Sequence, residues 1–326
     1  MASADQIKAL LRSHVEGDNS HFLAVAMQVA AHEARLGHSR IASEIREIID
    51  DAKRSKSRSW DRTAPAPAAR PRGELADLLD VEYPAVTLAH MALSEDLRGR
   101  LDRIVEEQEH AQRLRDYDLP IRRKVLLVGP PGSGKTMTAH ALAGELGLPL
   151  FTVRLDGLIT KYMGETIAKL RLVFDAMAEQ RGVYLFDEFD SIGSDRGSGD
   201  DVGEIRRVLN AFLMYIERDV SLSLVIAATN HPARLDTALH RRFDDIVKLA
   251  EPTVPLLETA VSNRLATTAW AKSVDAKAIA KAAKGLNFSD AVRAVDEAIK
   301  DVVLERTETV TTGDVVRHLE ARSHDG

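Results

Sequence analysis

The sequence predicts an α/β protein: a parallel sheet flanked by helices, an all-helical unit after it, and a small helical unit before it. Three observations carry that class. Short β-branched or apolar runs at residues 124–128, 150–153, 183–186 and 224–228 alternate with helical stretches, the pattern of a parallel sheet covered by helices. The first of these runs leads straight into a glycine-rich segment that opens a helix. After Glu251 and Pro252 the β signal fades and only helical periodicity continues.

Taken in order, residues 1–52 read as three short helices. Ile7, Leu10, Leu11 and Val15 recur at helical spacing, and Phe22 to Leu36 stops at Gly37. Ser39 to Ala52 places Ile41, Ile45, Ile48 and Ile49 on one face. Three such helices bury only a thin core. Residues 53–84 begin with KRSKSRSWDRTAPAPAARPR, which has seven basic residues against one acidic and three prolines. Self-repelling charge and proline make this a linker. Residues 85–250 carry the alternating pattern and form the large α/β subdomain. Residues 251–326 form the helical one, with Thr312 as the expected N-cap of the last helix.

Composition narrows the function classes. The chain has 326 residues, enough for about two domains, and a net charge of −6. With 44% hydrophobic and 29% charged residues it is neither a disordered polymer nor a generic nucleic-acid coat. Cysteine is absent, which removes disulfides, thiolate nucleophiles and Cys-ligated zinc. His32-Glu33 is followed by Leu36 where a zinc-protease helix needs its second histidine. No apolar run reaches the 18 or so residues of a membrane span, and Met1 to Leu11 lacks a signal-peptide layout. The expected location is cytoplasmic.

The segment Gly129-Pro130-Pro131-Gly132-Ser133-Gly134-Lys135-Thr136 satisfies the phosphate-binding loop pattern in the strand-to-helix setting that the motif requires. Its glycines let backbone N–H groups curl round phosphates, with the helix N-terminus adding a favourable dipole. Lys135 is expected to reach the β- and γ-phosphates of ATP, and the Thr136 hydroxyl to ligate Mg²⁺. Val183-Tyr184-Leu185-Phe186 reads as a buried strand that delivers Asp187 and Glu188 at its end. Asp187 suits the Mg²⁺ shell, and Glu188 the polarisation of an attacking water.

Ala228-Thr229-Asn230 closes the fourth run, and Leu235-Asp236-Thr237-Ala238-Leu239-His240-Arg241-Arg242-Phe243-Asp244 follows. This resembles the second region of homology that separates the AAA ATPases, within the AAA+ superfamily, from other phosphate-loop proteins. The likeness spans residues 85–305. It implies that Asn230 senses the γ-phosphate and that Arg241 and Arg242 act as fingers on a neighbouring subunit's nucleotide, so that hydrolysis depends on assembly. The two arginines are adjacent here, closer than is usual. In the helical lid, the usual Gly-Ala-Asp of the second sensor is replaced by Phe288-Ser289-Asp290. Arg293 is either a nucleotide contact or one half of a lid-surface ion pair. Asp118, Leu119 and Pro120 are expected near the adenine.

Lys161-Tyr162-Met163-Gly164 resembles the first pore loop of AAA unfoldases, an aromatic followed by an apolar residue and a glycine. Tyr162 offers a rigid, sequence-tolerant grip on an extended chain, Met163 a pliable one, and Gly164 lets the loop turn. Residues 193–201 sit where a second pore loop would. The resemblance therefore implies a stand-alone prokaryotic-type unfoldase or remodeller: a ring, expected to be a hexamer, threading polypeptide through its centre. A separate protease chain, such as a subtilisin-like serine protease, is a candidate partner. The alternative is a nucleic-acid-associated ATPase resembling a helicase loader, with the basic linker as foothold. The aromatic loop and the acidity outside the linker disfavour it.

Overall fold

The computed structural model describes residues 71–158, 163–192, 201–234, 240–268, 274–305 and 309–323. The expected N-terminal helical unit and residues 53–70 of the expected linker lie outside these, as do Lys161, Tyr162 and residues 193–200.

Among the described residues six strands form one sheet: β1 (Leu79–Glu82), β2 (Lys124–Val128), β3 (Leu150–Val153), β4 (Val183–Phe186), β5 (Leu224–Thr229) and β6 (Asp245–Lys248). Their spatial order is β1-β3-β4-β5-β2-β6. Every pairing is parallel except β1 with β3, where Leu79 faces Val153 and Glu82 faces Leu150. Strands β2, β4 and β5 are buried at every position, which is why their sequences are near-continuous apolar runs.

The two edges differ. β1 reads Leu-Asp-Val-Glu and β6 Asp-Ile-Val-Lys, each partly exposed. β1 corrects the expected linker boundary at residue 84. A helical turn at Leu75–Leu78 and the strand after it already belong to the fold, with Leu78 and Leu79 buried. The strand carries only two apolar residues, and its partner lies about seventy residues on, so local pattern alone does not announce it.

Helices cover both faces. On one side α1 (Glu95–Glu109) and α3 (Lys135–Leu146) pack on Val125, Leu127, Leu185, Ile226 and Val247. The short α2 (Ala111–Asp116) lies between them in sequence. On the other side α4 (Met163–Glu179) and α5 (Asp201–Arg218) close over Leu126, Tyr184, Phe186 and Val225. Aromatic rings dominate that second layer: Phe186 meets Phe212 edge-on at 5.1 Å, and Phe151 stacks on Tyr184 at 4.6 Å.

After β6 the described residues form four helices: α6 (Val254–Ala266), α7 (Ala276–Ala282), α8 (Phe288–Glu305) and α9 (Thr312–Ser323). They share a core of their own around Leu257, Val261, Ile279, Val295, Val302 and Leu319. The cap of α9 is Thr311 and not the expected Thr312. Thr311 Oγ1 accepts from Asp314 N (3.3 Å) and donates to Asp314 Oδ2 (2.6 Å). Thr312 Oγ1 instead accepts from Asp275 N, tying α9 to the start of α7.

Candidate functional site

The strand order decides what meets at the site. β5 lies between β2 and β4, so the residues leaving the C-terminal ends of all three are neighbours, where parallel sheets bind ligands. The segment after β2 bends through Gly132 (φ 71°) and Gly134 (φ 96°), both left-handed, before α3 begins at Lys135. Only glycine takes such φ values freely, so the tight loop needs both. Ser133 Oγ is buried and has no hydrogen-bond partner among the described residues, a hydroxyl free for a ligand oxygen.

Lys135 is almost wholly buried. Its Nζ donates to the carbonyls of Gly129 (2.8 Å) and Pro130 (2.9 Å) and to Asn230 Oδ1. Desolvation lowers its pKa below the usual lysine range, while Asp187, Asp190 and Glu188 oppose that shift. One ammonium thus touches the loop after β2 and the residue that follows β5. Beneath Asn230, buried Thr229 donates to Asp190 Oδ1 (2.9 Å) and accepts from His231 N (3.0 Å), which fixes the turn.

Thr136 Oγ1 donates to Asp187 Oδ2 at 2.6 Å. A hydroxyl and a carboxylate side by side are hard oxygen donors of the kind Mg²⁺ takes alongside phosphate and water. Glu188 follows at φ 49°, with its N–H on Asp187 Oδ1 (2.9 Å) and its side chain exposed. A glutamate in the left-handed region is uncommon and costs about 1–3 kcal/mol, a strain that tends to concentrate at active sites. The turn separates the directions of two consecutive carboxylates. One faces Thr136 and the other remains open to solvent.

Beside the loop lies a cavity of 480 Å³, within the size range of small-molecule sites. Its walls come from Met91 and Leu93 ahead of α1, Ser133, Gly134 and Met137 of the loop and α3, Leu249 after β6, and the lid. Asp118, Leu119 and Pro120, expected near the adenine, do not line it, and Leu119 is 52% exposed. The cavity draws on the chain before α1 and on the lid, both distant in sequence from the residues just before β2. An apolar run, Met91-Ala92-Leu93, ahead of the Ser94 cap of α1 was the available signal. Asn263 of α6 donates to His90 O (3.2 Å), and both residues line the cavity.

The lid reaches the loop through Asn287, which caps α8 by accepting from Asp290 N (2.9 Å). Its carboxamide sits so close that a Cβ on Gly132 would lie 2.5 Å from its Oδ1. Arg293 is exposed and makes no ion pair among the described residues.

The remaining candidates are Arg241, Arg242 and Lys161-Tyr162-Met163-Gly164. Arg241 is exposed, while Arg242 is half-buried with its Nε on Glu217 Oε2 (3.4 Å). Met163 and Gly164 open α4, with Gly164 inside the first helical turn and not in a left-handed turn of the loop. Lys161, Tyr162 and residues 235–239 fall outside the described residues. Among the described residues no group of histidines and carboxylates forms a metal-binding cluster, and no helix is long and apolar enough to cross a membrane.

Comparison with known proteins adds the relationships. The family described as "ATPase family associated with various cellular activities (AAA)" matches residues 125–251. An uncharacterized AAA family ATPase, y4kL, of Sinorhizobium fredii is 32% identical over all of this chain and 98% of its own length. The ATP-dependent zinc metalloprotease FtsH 4 of Sphaerobacter thermophilus is 33% identical over 68% of the chain. FtsH of Haemophilus influenzae is 30% identical over 72%. The matched regions span only 35% and 38% of these two proteases.

Proposed function

Because this chain belongs to the AAA family of ATPases, we propose that its ATP hydrolysis drives a ring, a hexamer, that pulls polypeptide through a central pore. The observation that carries the nucleotide half of this reading is the convergence of Lys135, Asn230, Thr136 and Asp187 at the ends of three adjacent strands. Lys135 would exchange its loop carbonyls for the β- and γ-phosphates of ATP. Backbone N–H groups of residues 129–134 cradle the phosphates, with Ser133 Oγ as a further donor. Thr136 and Asp187 would hold Mg²⁺, which, when bound, neutralises charge on the phosphate oxygens. Glu188 accepts a proton from water, and Asn230 orients that water against the γ-phosphate. Exposed Arg241, with Arg242 beside it, would reach the next subunit's nucleotide and stabilise its departing phosphoryl group.

The polypeptide half rests on the Lys161-Tyr162-Met163-Gly164 segment and on the relatedness to ATP-dependent proteases. In this reading residues 1–52 recruit substrate and residues 53–74 tether them, the fold proper starting at the helical turn of Leu75. The 85–250 subdomain and the 251–326 lid then hold the nucleotide between them. The protein works in the cytoplasm without a membrane or nucleic-acid partner. Any proteolysis falls to a separate chain, of which a subtilisin-like serine protease is one kind.

The test is Tyr162→Ala. It should leave ATP binding and basal hydrolysis near wild type and abolish stimulation by an unfolded protein, while Tyr162→Phe retains stimulation because the ring face makes the contact. Stimulation of the wild type by single-stranded DNA but not by unfolded protein would replace the polypeptide reading with the nucleic-acid one. An early-melting, ATPase-dead Tyr162→Ala would mean a packed core aromatic, whose truncation costs roughly 3–5 kcal/mol. In the Glu188→Gln protein, ATP should stay bound unhydrolysed and trap substrate.

A further inference from the structure

Glu188 is held in a conformation that it would not keep alone. Its φ of 49° lies in the left-handed region, where a non-glycine residue persists only if its surroundings over-determine it. On one side, Asp187 accepts the Glu188 N–H (2.9 Å) and the Thr136 hydroxyl (2.6 Å). On the other, the chain turns through Phe189–Ile192. Phe189 is fully buried against Phe186 and Phe212. Asp190, also buried, accepts the Thr229 hydroxyl at 2.9 Å. Thr229 is the wholly buried last residue of β5, and the same oxygen accepts from His231 N (3.0 Å). Asn230 is the residue between them. One hydroxyl, fixed by one carboxylate, thus joins the turn that carries Glu188 to the turn that carries Asn230, across the paired strands β4 and β5.

We propose that Asp190 is a positioning residue for hydrolysis: through Thr229 it sets the spacing and direction of Glu188 and Asn230, so that both address one water. This rests on the water-directed roles given to those two side chains above. Activation needs the Glu188 carboxylate and the Asn230 carboxamide within hydrogen-bond reach of the same molecule. Glu188 extends into solvent, and Asn230 loses its Lys135 contact if that ammonium moves onto phosphate. The aim of both then depends on their backbones, and Asp190 ties the two backbones together. It needs no contact of its own with phosphate, metal or water. Without the bond the turn after β4 is free to relax, and Glu188 with it. The Asp190 charge also acts on Lys135, so bond and charge have to be separated by experiment.

Four variants of the full chain do so. Thr229→Val keeps the shape of the buried side chain and removes the hydroxyl, and Asp190→Ala removes the acceptor. Thr229→Ser and Asp190→Asn each preserve a hydroxyl facing an oxygen. Steady-state hydrolysis gives kcat and KM for ATP, and calorimetry with ADP reports on the binding site. Thr229→Val and Asp190→Ala should lower kcat about ten- to a hundred-fold, the scale of a small misplacement of reacting groups, with KM and the ADP Kd within about two-fold of wild type. Thr229→Ser and Asp190→Asn should keep most of the turnover. In an Asn230→Ala background Thr229→Val should cost much less than it does alone, because a group that it aims is gone. If Asp190→Ala unfolds, the isosteric Thr229→Val still decides. Wild-type kcat in Thr229→Val would overturn the proposal. So would a fall in Asp190→Asn as deep as in Asp190→Ala, which would make the charge near Lys135 the operative feature. Loss of ADP affinity in step with kcat would overturn it too, since the bond would then be a general support of the site. Full turnover in Asn230→Ala would overturn the water-orienting role of Asn230 itself, and this proposal with it.

Discussion

A methyl group added at Gly132 meets two separate costs, and they can be measured apart. The first is conformational: Gly132 has φ 71°, and an alanine held there loses about 1–2 kcal/mol to the clash of Cβ with its own backbone. The second is steric and comes from the lid. The new Cβ would lie 2.5 Å from Asn287 Oδ1 and 2.9 Å from Nδ2, well inside contact distance. Asn287 is not free to swing aside, because its Oδ1 holds Asp290 N as the cap of α8, an interaction worth about 1 kcal/mol. Gly132→Ala should therefore destabilise by about 2–3 kcal/mol in urea unfolding followed by circular dichroism. In an Asn287→Gly background the carboxamide is absent, and only the conformational cost of about 1–2 kcal/mol should remain. If Gly132→Ala costs the same in both backgrounds, the lid does not press on the loop and the coupling inferred from their proximity is wrong.

Lys135→Ala should abolish ATP binding, because the phosphates lose their main cation; near-normal affinity by calorimetry would overturn the assignment of the loop. Arg241→Ala should leave ATP affinity intact and cut steady-state turnover about 10³-fold, whereas Arg242→Ala, whose guanidinium rests on Glu217, should cost less. Recovery of turnover when Arg241→Ala subunits are mixed with Lys135→Ala subunits would show the finger acting across an interface. Asp314 has its pKa lowered below 3.8, first by the Thr311 hydroxyl bond. The unfolded state therefore takes up its proton first as pH falls, and the stability this bond contributes is present above 3.8 and lost as pH drops through the folded value. The gap in urea midpoint between wild type and Asp314→Ala should accordingly be full at pH 6 and shrink below pH 3.8.

The central strands were legible because burial on both faces leaves only one kind of residue to choose. Lys124–Val128, Leu150–Val153 and Val183–Phe186 appear in the fold at the bounds read from the sequence, and the fourth run gains only Thr229. The phosphate loop was legible for a different reason: left-handed turns and an ammonium at fixed spacing admit few sequences. What escaped was everything held by distant partners. β1 and β6 carry two apolar residues each and owe their place to strands far along the chain. The cavity beside the phosphate loop is closed by segments before α1 and in the lid, so no window around β2 contains it. The adjacent arginines were visible, but their unequal surroundings, Glu217 beside one and solvent around the other, depend on a contact with α5.

The borders of the sheet bear on what such a machine handles. An unfolded chain is a strand in search of an edge, and an ATPase that gripped one, as proposed here, would expose its own sheet to that hazard. Both borders here are four residues long. β1 offers Asp80 and Glu82, and β6 offers Asp245 and Lys248, charges that an incoming apolar segment would have to bury. On β6 the defence goes further: Arg100 of α1 pairs with Asp245 and donates to the carbonyl of Ile246 (2.9 Å). That occupies a backbone acceptor through which another strand could add. Short length, charge and, on β6, an occupied carbonyl thus oppose the addition of a further strand at either border of the described sheet.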